Sequence, residues 1–347
     1  MNPSVFSLLN ARILSHYESA RKILSNKMPA PRTAILYPTY VCNQACPGCE
    51  YQEDNRGIAR MMTRAQLMHA VDELAALGVQ GLEFCGGGEP TLHPDLAQAI
   101  LRLRKRGISI GLLTNGTHLT GKLAKVAVRN LSYIRISLDA ADAATFNRVK
   151  RPKDKNAGFA QVVANIRKIV ALRKKDNAPV TLSIKYLVSR LNAEGLEKAA
   201  KLAASLGVDS LQFKSVRIFK GLELKKEGDA IRRRIDALAK KYPKLAVLGG
   251  IDKANVTMKC WLSPVQIMID AIGEVFVCCY YRHRRDTHGF GNIFKTPLKK
   301  IWFSKRHWKA IASIKPAECN RLDCRFAAYN QIMADMMIKD KAQFDFI

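Results

Sequence analysis

Six short apolar segments recur between residues 33 and 216, and each is followed by a helical pattern rather than by a tight hairpin turn. They read as the strands TAILYPT, GLEFCG, ISIGLLT, YIRISLD, TLSIKYLV and SLQFKSV, with helices near 63–77, 93–106, 120–129, 157–175 and 193–206. This alternation predicts a parallel sheet, because parallel neighbours need a long crossover, usually helical. The polarity of the strands restricts the fold further. In YIRISLD, Ile134, Ile136 and Leu138 share one face while Arg135, Ser137 and Asp139 share the other. TLSIKYLV sets Leu182, Ile184, Tyr186 and Val188 against Ser183 and Lys185, and SLQFKS sets Leu211 and Phe213 against Gln212 and Lys214. GLEFC does the same with Leu82 and Phe84 against Glu83 and Cys85. A doubly wound sheet lies under helices on both faces and should be apolar on both. Here one face is polar, so the pattern predicts an α/β partial barrel whose interior is a substrate chamber lined by Glu83, Arg135, Gln212 and Lys214.

A chain of 347 residues suits one large unit and one small one. No apolar run reaches the roughly 20 residues of a spanning helix, since VQIMIDAIGEVFVCCYY is interrupted by Gln266, Asp270 and Glu274 and reads as strands. The N-terminal stretch shows Phe6, Leu9, Ile13 and Tyr17 at helical spacing without a cleavable apolar core, which predicts a surface helix on a cytoplasmic protein. Nine cysteines in a reducing compartment point to metal rather than disulfides. The net charge of +28 favours anionic partners, but runs such as LRKR, RKIVALRKK and RRRIDALAKK are scattered over helices. Solvated helix faces explain them, so nucleic acid is the less favoured partner.

The unusual motifs sit where barrel enzymes place their chemistry, after the C-terminal ends of strands. The first strand is followed by Cys42, Cys46 and Cys49, the second by GGGEP with Glu89, the third by TNG with Asn115, and SLD with Ser137 and Asp139 ends the fourth. Three thiolates can hold three irons of a [4Fe–4S] cubane and leave the fourth iron open. Zinc is the alternative, and it would need a further ligand, which does not follow until His69. The glycines of GGGEP permit close backbone approach beside the Glu89 carboxylate.

With these motifs in this order, residues 33–216 resemble the radical S-adenosylmethionine (SAM) enzymes. The resemblance implies a partial (β/α)6 TIM-like barrel in which SAM chelates the open iron and is cleaved reductively to a 5′-deoxyadenosyl radical that takes hydrogen from substrate. It implies that Gly87, Gly88 and Glu89 receive the methionine amino group, that Ser137, Asp139 and Lys185 lie near the carboxylate or ribose, and that Asn115 belongs to the cofactor-binding set. A reductant such as flavodoxin or ferredoxin is implied as well. One departure is Gly48, where the family commonly carries an aromatic residue before the third cysteine.

Beyond residue 216 the rhythm stops at a charged helical stretch, read as a connector over 217–255. Cys260, Gly273, Cys278, the Gly291–Asn292 pair, Cys319 and Cys324 then resemble the auxiliary-cluster extension of the same enzymes, called a twitch domain in its one-cluster form and related to the longer SPASM form. The organisation expected is an N-terminal helical extension over 1–32, the barrel over 33–216, the connector, a small α+β auxiliary domain over 256–330 and a C-terminal helix and tail over 331–347. The four cysteines suffice for a second, fully ligated [4Fe–4S] cluster that relays electrons, with Cys279 able to stand in for Cys319 and a zinc ribbon as the alternative. Cys85 and Cys279 remain as hydrogen donors to a substrate radical, or as small buried apolar residues. The leading expectation is oxidation or epimerisation of a hydroxylated or phosphorylated small molecule of sugar, aminocyclitol or nucleotide-sugar type. The alternatives are a peptide-modifying maturase of ribosomal peptides and, outside enzymology, a zinc-stabilised basic protein that binds nucleic acid.

Overall fold

The computed structural model describes residues 15–49, 60–154, 157–216, 221–224, 228–250, 258–279, 285–321, 324 and 326–337. A short helix, α1 (Tyr17–Leu24), precedes the first strand, β1 (Thr33–Leu36). Then come α2 (Arg64–Ala76), β2 (Gly81–Phe84), α3 (Leu96–Lys105), β3 (Ser109–Thr114), α4 (Gly121–Asn130) and β4 (Tyr133–Ser137). Two helices, α5 (Ala143–Lys150) and α6 (Phe159–Lys175), lead to β5 (Thr181–Val188), α7 (Leu196–Leu206) and β6 (Ser210–Ser215). The barrel half ends with α8 (Gly228–Lys241) and β7 (Ala246–Gly250). The remainder holds β8 (Gln266–Ile269), β9 (Glu274–Phe276), α9 (Arg285–His288), β10 (Gly289–Asn292), α10 (Leu298–Trp302), α11 (Lys305–Ala312), α12 (Pro316–Arg321) and α13 (Ala327–Asp335).

All ten strands form one sheet in the order β10-β9-β8-β1-β2-β3-β4-β5-β6-β7. Every pairing from β8 through β1 to β7 is parallel, and β9 and β10 are antiparallel additions. This is the partial barrel expected from the one-sided strands. In β4 the buried positions alternate with half-buried ones, so Ile134 and Ile136 are sealed under helices while Tyr133, Arg135 and Ser137 border an accessible interior. The sealed face of the sheet packs with Leu67, Val71, Ile100, Val128 and Ile166 from the helices. The local signals are ordinary ones. In the capping box that starts α2, the Gln66 N–H donates to Thr63 Oγ1 at 3.2 Å and the Thr63 N–H to Gln66 Oε1 at 2.9 Å. Gly207, at φ +71°, ends α7 in the left-handed conformation that suits a residue without Cβ.

Two elements differ from the sequence reading. The stretch read only as a helical connector over 217–255 supplies α8 and also a seventh parallel strand, β7, paired with β6 from Ser210↔Ala246 to Lys214↔Gly250. AVLGG has no polar alternation and ends in glycines, which is why it reads as a loop. The helix α5 was also absent from the reading, because AATFNRVK offers only Phe146 and Val149 to a core. Its start is fixed by Asp142, whose Oδ1 accepts the Thr145 N–H at 2.8 Å.

The C-terminal part does not hang from the barrel by a linker; it extends the barrel's own sheet through β8 beside β1. Trp302 then donates its indole N–H to the Pro29 carbonyl at 2.7 Å, and His69 Nε2 lies 3.1 Å from the Ile293 carbonyl. Among the described residues no helix is long and apolar enough to cross a membrane.

On the inner face, Gly111 leaves room for the Tyr133 ring. A Cβ there would lie 2.2 Å from Tyr133 Cζ and 2.5 Å from its hydroxyl, which donates to Glu83 Oε2 at 2.5 Å. Gly111→Ala is therefore expected to overpack the interior and lower stability by about 1–3 kcal/mol, read as a fall in Tm by circular dichroism.

Candidate metal and cofactor centres

The first cysteine loop leaves the C-terminal end of β1 and is gripped by two backbone segments. On one side is GGGEP: Gly88 N–H donates to the Thr39 carbonyl and Glu89 N–H to the Val41 carbonyl, both at 2.9 Å. The approach is so close that a Cβ on Gly87 would stand 2.2 Å from the Tyr40 ring and one on Gly88 2.2 Å from the Val41 carbonyl oxygen. On the other side is the end of α5. Ala45 N–H lies 3.1 Å from the carbonyls of both Lys150 and Arg151, Lys153 N–H donates to Asn43 at 2.9 Å, and Lys153 Nζ to the Cys42 carbonyl at 3.2 Å.

Glu89 is 3% exposed and its carboxylate is nearly saturated. Oε1 accepts from Thr91 N at 3.0 Å, Thr91 Oγ1 at 2.6 Å and Thr114 Oγ1 at 2.5 Å, while Oε2 accepts the Asn115 N–H at 2.7 Å. One lone pair of Oε2 is left for a further donor, and an ammonium group fits that need. The Asn115 side chain, expected in the cofactor-binding set, braces the loop: Nδ2 donates to Asn43 Oδ1 at 2.8 Å and Oδ1 accepts from Thr117 N at 3.0 Å and Thr117 Oγ1 at 2.7 Å.

Asp139 sits at φ +55°, unusual for a residue with a side chain. Its Oδ1 accepts the Leu187 N–H at 2.6 Å and its Oδ2 pairs with the buried ammonium of Lys150. Burial works against that ammonium, yet Asp139 and the nearby Cys46 outweigh it and hold the Lys150 pKa above its ordinary value. Sequence reasoning missed Lys150, which looks like one more cation in NRVKRPK. Ser137, Lys185 and Gln212 share one rung across β4, β5 and β6, and Lys214 lies two residues further along β6. Glu83, Tyr133 and Arg135 lie deeper, where burial, first, and the Glu83 carboxylate, second, keep the Tyr133 phenol well above its usual range. The interior is thus polar along β4–β6, and on the β1, β8 and β9 side it is closed by an apolar cluster of Ile35, Tyr37, Met268 and Phe276. Cys85 and Cys279, each 3% exposed, belong to that cluster.

The three thiols of the first loop are half-buried and interact with one another. Burial pushes the Cys42 thiol up to about 12, against a backbone N–H of Gln44 that lowers it, and the Cys46 thiol up to about 11, against Lys150. Three crowded thiolates are costly unless positive charge joins them, which is what iron supplies. This donor set fits a cluster with one iron left open.

Cys260, Cys278, Cys319 and Cys324 line one open pocket, together with apolar side chains such as Val277 and Ile314. The pocket takes in Cys319 and leaves Cys279 in the apolar cluster. Burial, first, and the neighbouring Cys260 and Cys319 push the Cys324 thiol up to about 12. Among the described residues no group of three or more His, Cys, Asp or Glu side chains is placed to hold a single metal ion. Asn330 on α13 clamps the backbone on both sides of Cys260: Oδ1 accepts the Trp261 N–H at 2.6 Å and Nδ2 donates to the Lys259 carbonyl at 3.0 Å. No sequence signal marks that asparagine.

Residues 36–213 match the model of the radical SAM superfamily, just over half of the chain. The chain belongs to the radical SAM superfamily. Residues 260–325 match SPASM, an iron–sulfur cluster-binding domain. The cofactors are accordingly SAM, a [4Fe–4S] cluster that binds it and an auxiliary iron–sulfur cluster, and the zinc-stabilised nucleic-acid reading is set aside. Among curated relatives, a PqqA peptide cyclase of Ruegeria pomeroyi is 31% identical over 191 residues, 55% of this chain and 48% of that protein. The chain therefore spans about half the length of this relative. The mycofactocin maturase MftC of Mycobacterium tuberculosis is 26% identical over 289 residues, 77% of this chain and 71% of that protein. Among solved structures, Streptococcus suis SuiB bound to its precursor peptide SuiA shares the fold with a TM-score of 0.68 at 14% identity, covering 93% of this chain and 75% of that one.

Two variants check the geometry. Glu89→Gln turns one acceptor into a donor facing buried N–H and O–H groups, so it is expected to lose about 1–3 kcal/mol of stability and to weaken SAM binding, measured by melting and by calorimetric titration. Asn330→Ala leaves the Trp261 N–H and Lys259 carbonyl without partners and is expected to lower auxiliary iron content while the first cluster, read by its spectral response to SAM, stays loaded.

Proposed function

We propose that this protein is a peptide-modifying radical SAM enzyme that acts on an acidic segment of its substrate and uses the auxiliary cluster as an electron relay. One placement carries the reading. The three-thiol loop leaves the C-terminal end of β1, whereas Cys278 follows β9, which runs antiparallel to β8 and so ends at the opposite end of the sheet. The two thiol sets therefore flank the interior from its two ends, a four-residue strand of roughly 13 Å apart or more.

When bound, the first cluster and SAM supply a carbon radical able to take hydrogen. The chain's own residues do the rest. GGGEP and Glu89 orient the methionine end of SAM, and Ser137 and Lys185 border its carboxylate or ribose. Arg135, Lys185 and Lys214 make the interior cationic along β4–β6, in keeping with a net charge of +28, and Gln212 adds a polar group on the same rung. This favours a substrate that brings carboxylates. Cys42, Cys46 and Cys49 would hold the cluster that an external one-electron donor such as flavodoxin or ferredoxin serves, and Cys260, Cys278, Cys319 and Cys324 would hold an auxiliary cluster that supplies a sink for the electron given up by the substrate.

The sugar-type substrate that the polar interior suggests is the weaker alternative, because several of the relatives that match in sequence are named PqqA peptide cyclase. The test is anaerobic reconstitution followed by reaction with SAM, dithionite and a panel of synthetic peptides rich in aspartate and glutamate. About eight irons per chain, 5′-deoxyadenosine and a peptide lacking a pair of hydrogens are expected. Cys42→Ala/Cys46→Ala/Cys49→Ala is expected to halve the iron and abolish 5′-deoxyadenosine. Cys260→Ala/Cys278→Ala is expected to abolish the modified peptide while 5′-deoxyadenosine still forms. Unmodified peptide, together with a nucleotide-sugar that is converted, would reverse the choice of substrate.

A further inference from the structure

Holding the first cluster accounts for Cys42, Cys46 and Cys49, yet two polar groups lie behind their loop. The first is Gln44, between two of the ligands and 5% exposed. Its Oε1 faces the Cys46 thiol at 3.7 Å, while its Nε2 is buried and has no hydrogen-bond partner among the described residues. A buried amide N–H without an acceptor is a standing cost that a ligand atom can remove.

The second is Lys150, 3% exposed. Its carbonyl is the acceptor for the Cys46 thiol at 3.5 Å and one of two for the Ala45 N–H, so the residue is tied to the loop it lies behind. Its ammonium is fixed by Asp139 Oδ2. Asp139 is in turn held by the Leu187 N–H on Oδ1 at 2.6 Å and by Asn192 Nδ2 on its carbonyl at 2.8 Å, which maintains its left-handed backbone. Lys150 thus places a buried cation directly behind the loop that carries Cys46.

We propose that Gln44 and Lys150 form an electropositive cradle that raises the reduction potential of the three-cysteine cluster: the Gln44 carboxamide donates an N–H···S hydrogen bond to a sulfur of the bound cluster, and the Lys150 ammonium stabilises its reduced state. Reduction adds one electron from an outside donor and no proton, so the reduced cluster is more negative by one charge. A hydrogen bond to sulfur and a buried cation both favour that form. The proposal rests on the assignment of Cys42, Cys46 and Cys49 as cluster ligands.

The experiment is an EPR-monitored redox titration of the reconstituted full chain without SAM. The first cluster is assigned as the signal that shifts when SAM is later added, and the auxiliary cluster serves as internal reference. Gln44→Leu and Lys150→Met are each expected to lower the reduced-to-oxidised ratio of the first cluster at the wild-type midpoint about tenfold, a shift of about 59 mV for a one-electron couple. Lys150→Arg is expected to stay near wild type, and the auxiliary cluster is expected not to move. If Lys150→Met takes up no iron at the first site, Gln44→Leu, which keeps the ion pair, decides the outcome. A first cluster that titrates unchanged in Gln44→Leu overturns the proposal. So does a Lys150→Met protein whose only change is weaker SAM binding. Wild-type protein that binds no iron at this loop instead removes the ligand assignment beneath it.

Discussion

Because β8 pairs in parallel with β1 from Thr33↔Gln266 to Leu36↔Ile269, the chain that leaves the end of each strand is committed to the same end of the barrel. From β1 that chain is the first cysteine loop; from β8 it is the hairpin that turns back as β9 toward Cys278. The two strands are locked above the pairing as well. Tyr40 donates its hydroxyl to Asp270 Oδ2 at 2.8 Å, and Asp270 Oδ1 accepts the Ile272 and Glu274 N–H groups at 3.0 and 2.9 Å. Both side chains are buried, at 2% and 0% exposure, so water does not compete for the bond. The ring of Tyr40 also fills the place where a Cβ on Gly87 would fall. A single tyrosine therefore touches the GGGEP turn and the auxiliary hairpin and leads directly into the cysteine loop.

The interior between the two thiol sets is divided by chemistry rather than by a wall. On the β1, β8 and β9 side, Ile35, Tyr37, Met268 and Phe276 exclude water, and Cys85 and Cys279 are small members of that packing. On the β4–β6 side, the half-buried Arg135, Ser137, Lys185 and Gln212 keep polar groups within reach of a guest. Under the proposed function, an electron relayed between the thiol sets would pass along the dry side and a charged substrate would be received on the wet side. The same alternation of strand residues that gives the barrel its outer core creates this division, because each inward residue is bracketed by two that anchor the helices.

The barrel and the cysteines were legible in the sequence because their signals are local: a period of two along each strand, and ligand spacings within one loop. What was not legible depends on partners far apart in the chain. Tyr40 and Asp270 are separated by 230 residues, Cys46 and the Lys150 carbonyl by 104, and Trp261 and Asn330 by 69. Lys150 and Asn330 differ in no way, as letters, from solvated neighbours. β7 escaped because a strand at the edge of the sheet need not alternate, and α5 because its helix is fixed by a cap more than by a core. Asn115 adds a partner that the strand-end motif does not announce: its side chain bonds Asn43, 72 residues away, and so braces the cysteine loop.

Gly48 is where the cysteine loop departs from the family habit of an aromatic before the third cysteine, and its surroundings show how the loop manages without one. A Cβ at this position would meet Leu187 Cδ2 and Val216 Cγ2 at 3.7 Å and Leu222 Cδ1 at 3.8 Å, all ordinary contact distances. The flank of the loop is thus apolar already, built by a side chain of β5, one that follows β6 and one beyond it. Leu187 is also the residue whose N–H holds Asp139, so the packing beside Gly48 and the ion pair behind Cys46 share one point of β5. A large ring at 48 would have to displace side chains whose backbone positions the charge behind the cluster. A glycine leaves both the apolar flank and that support in place.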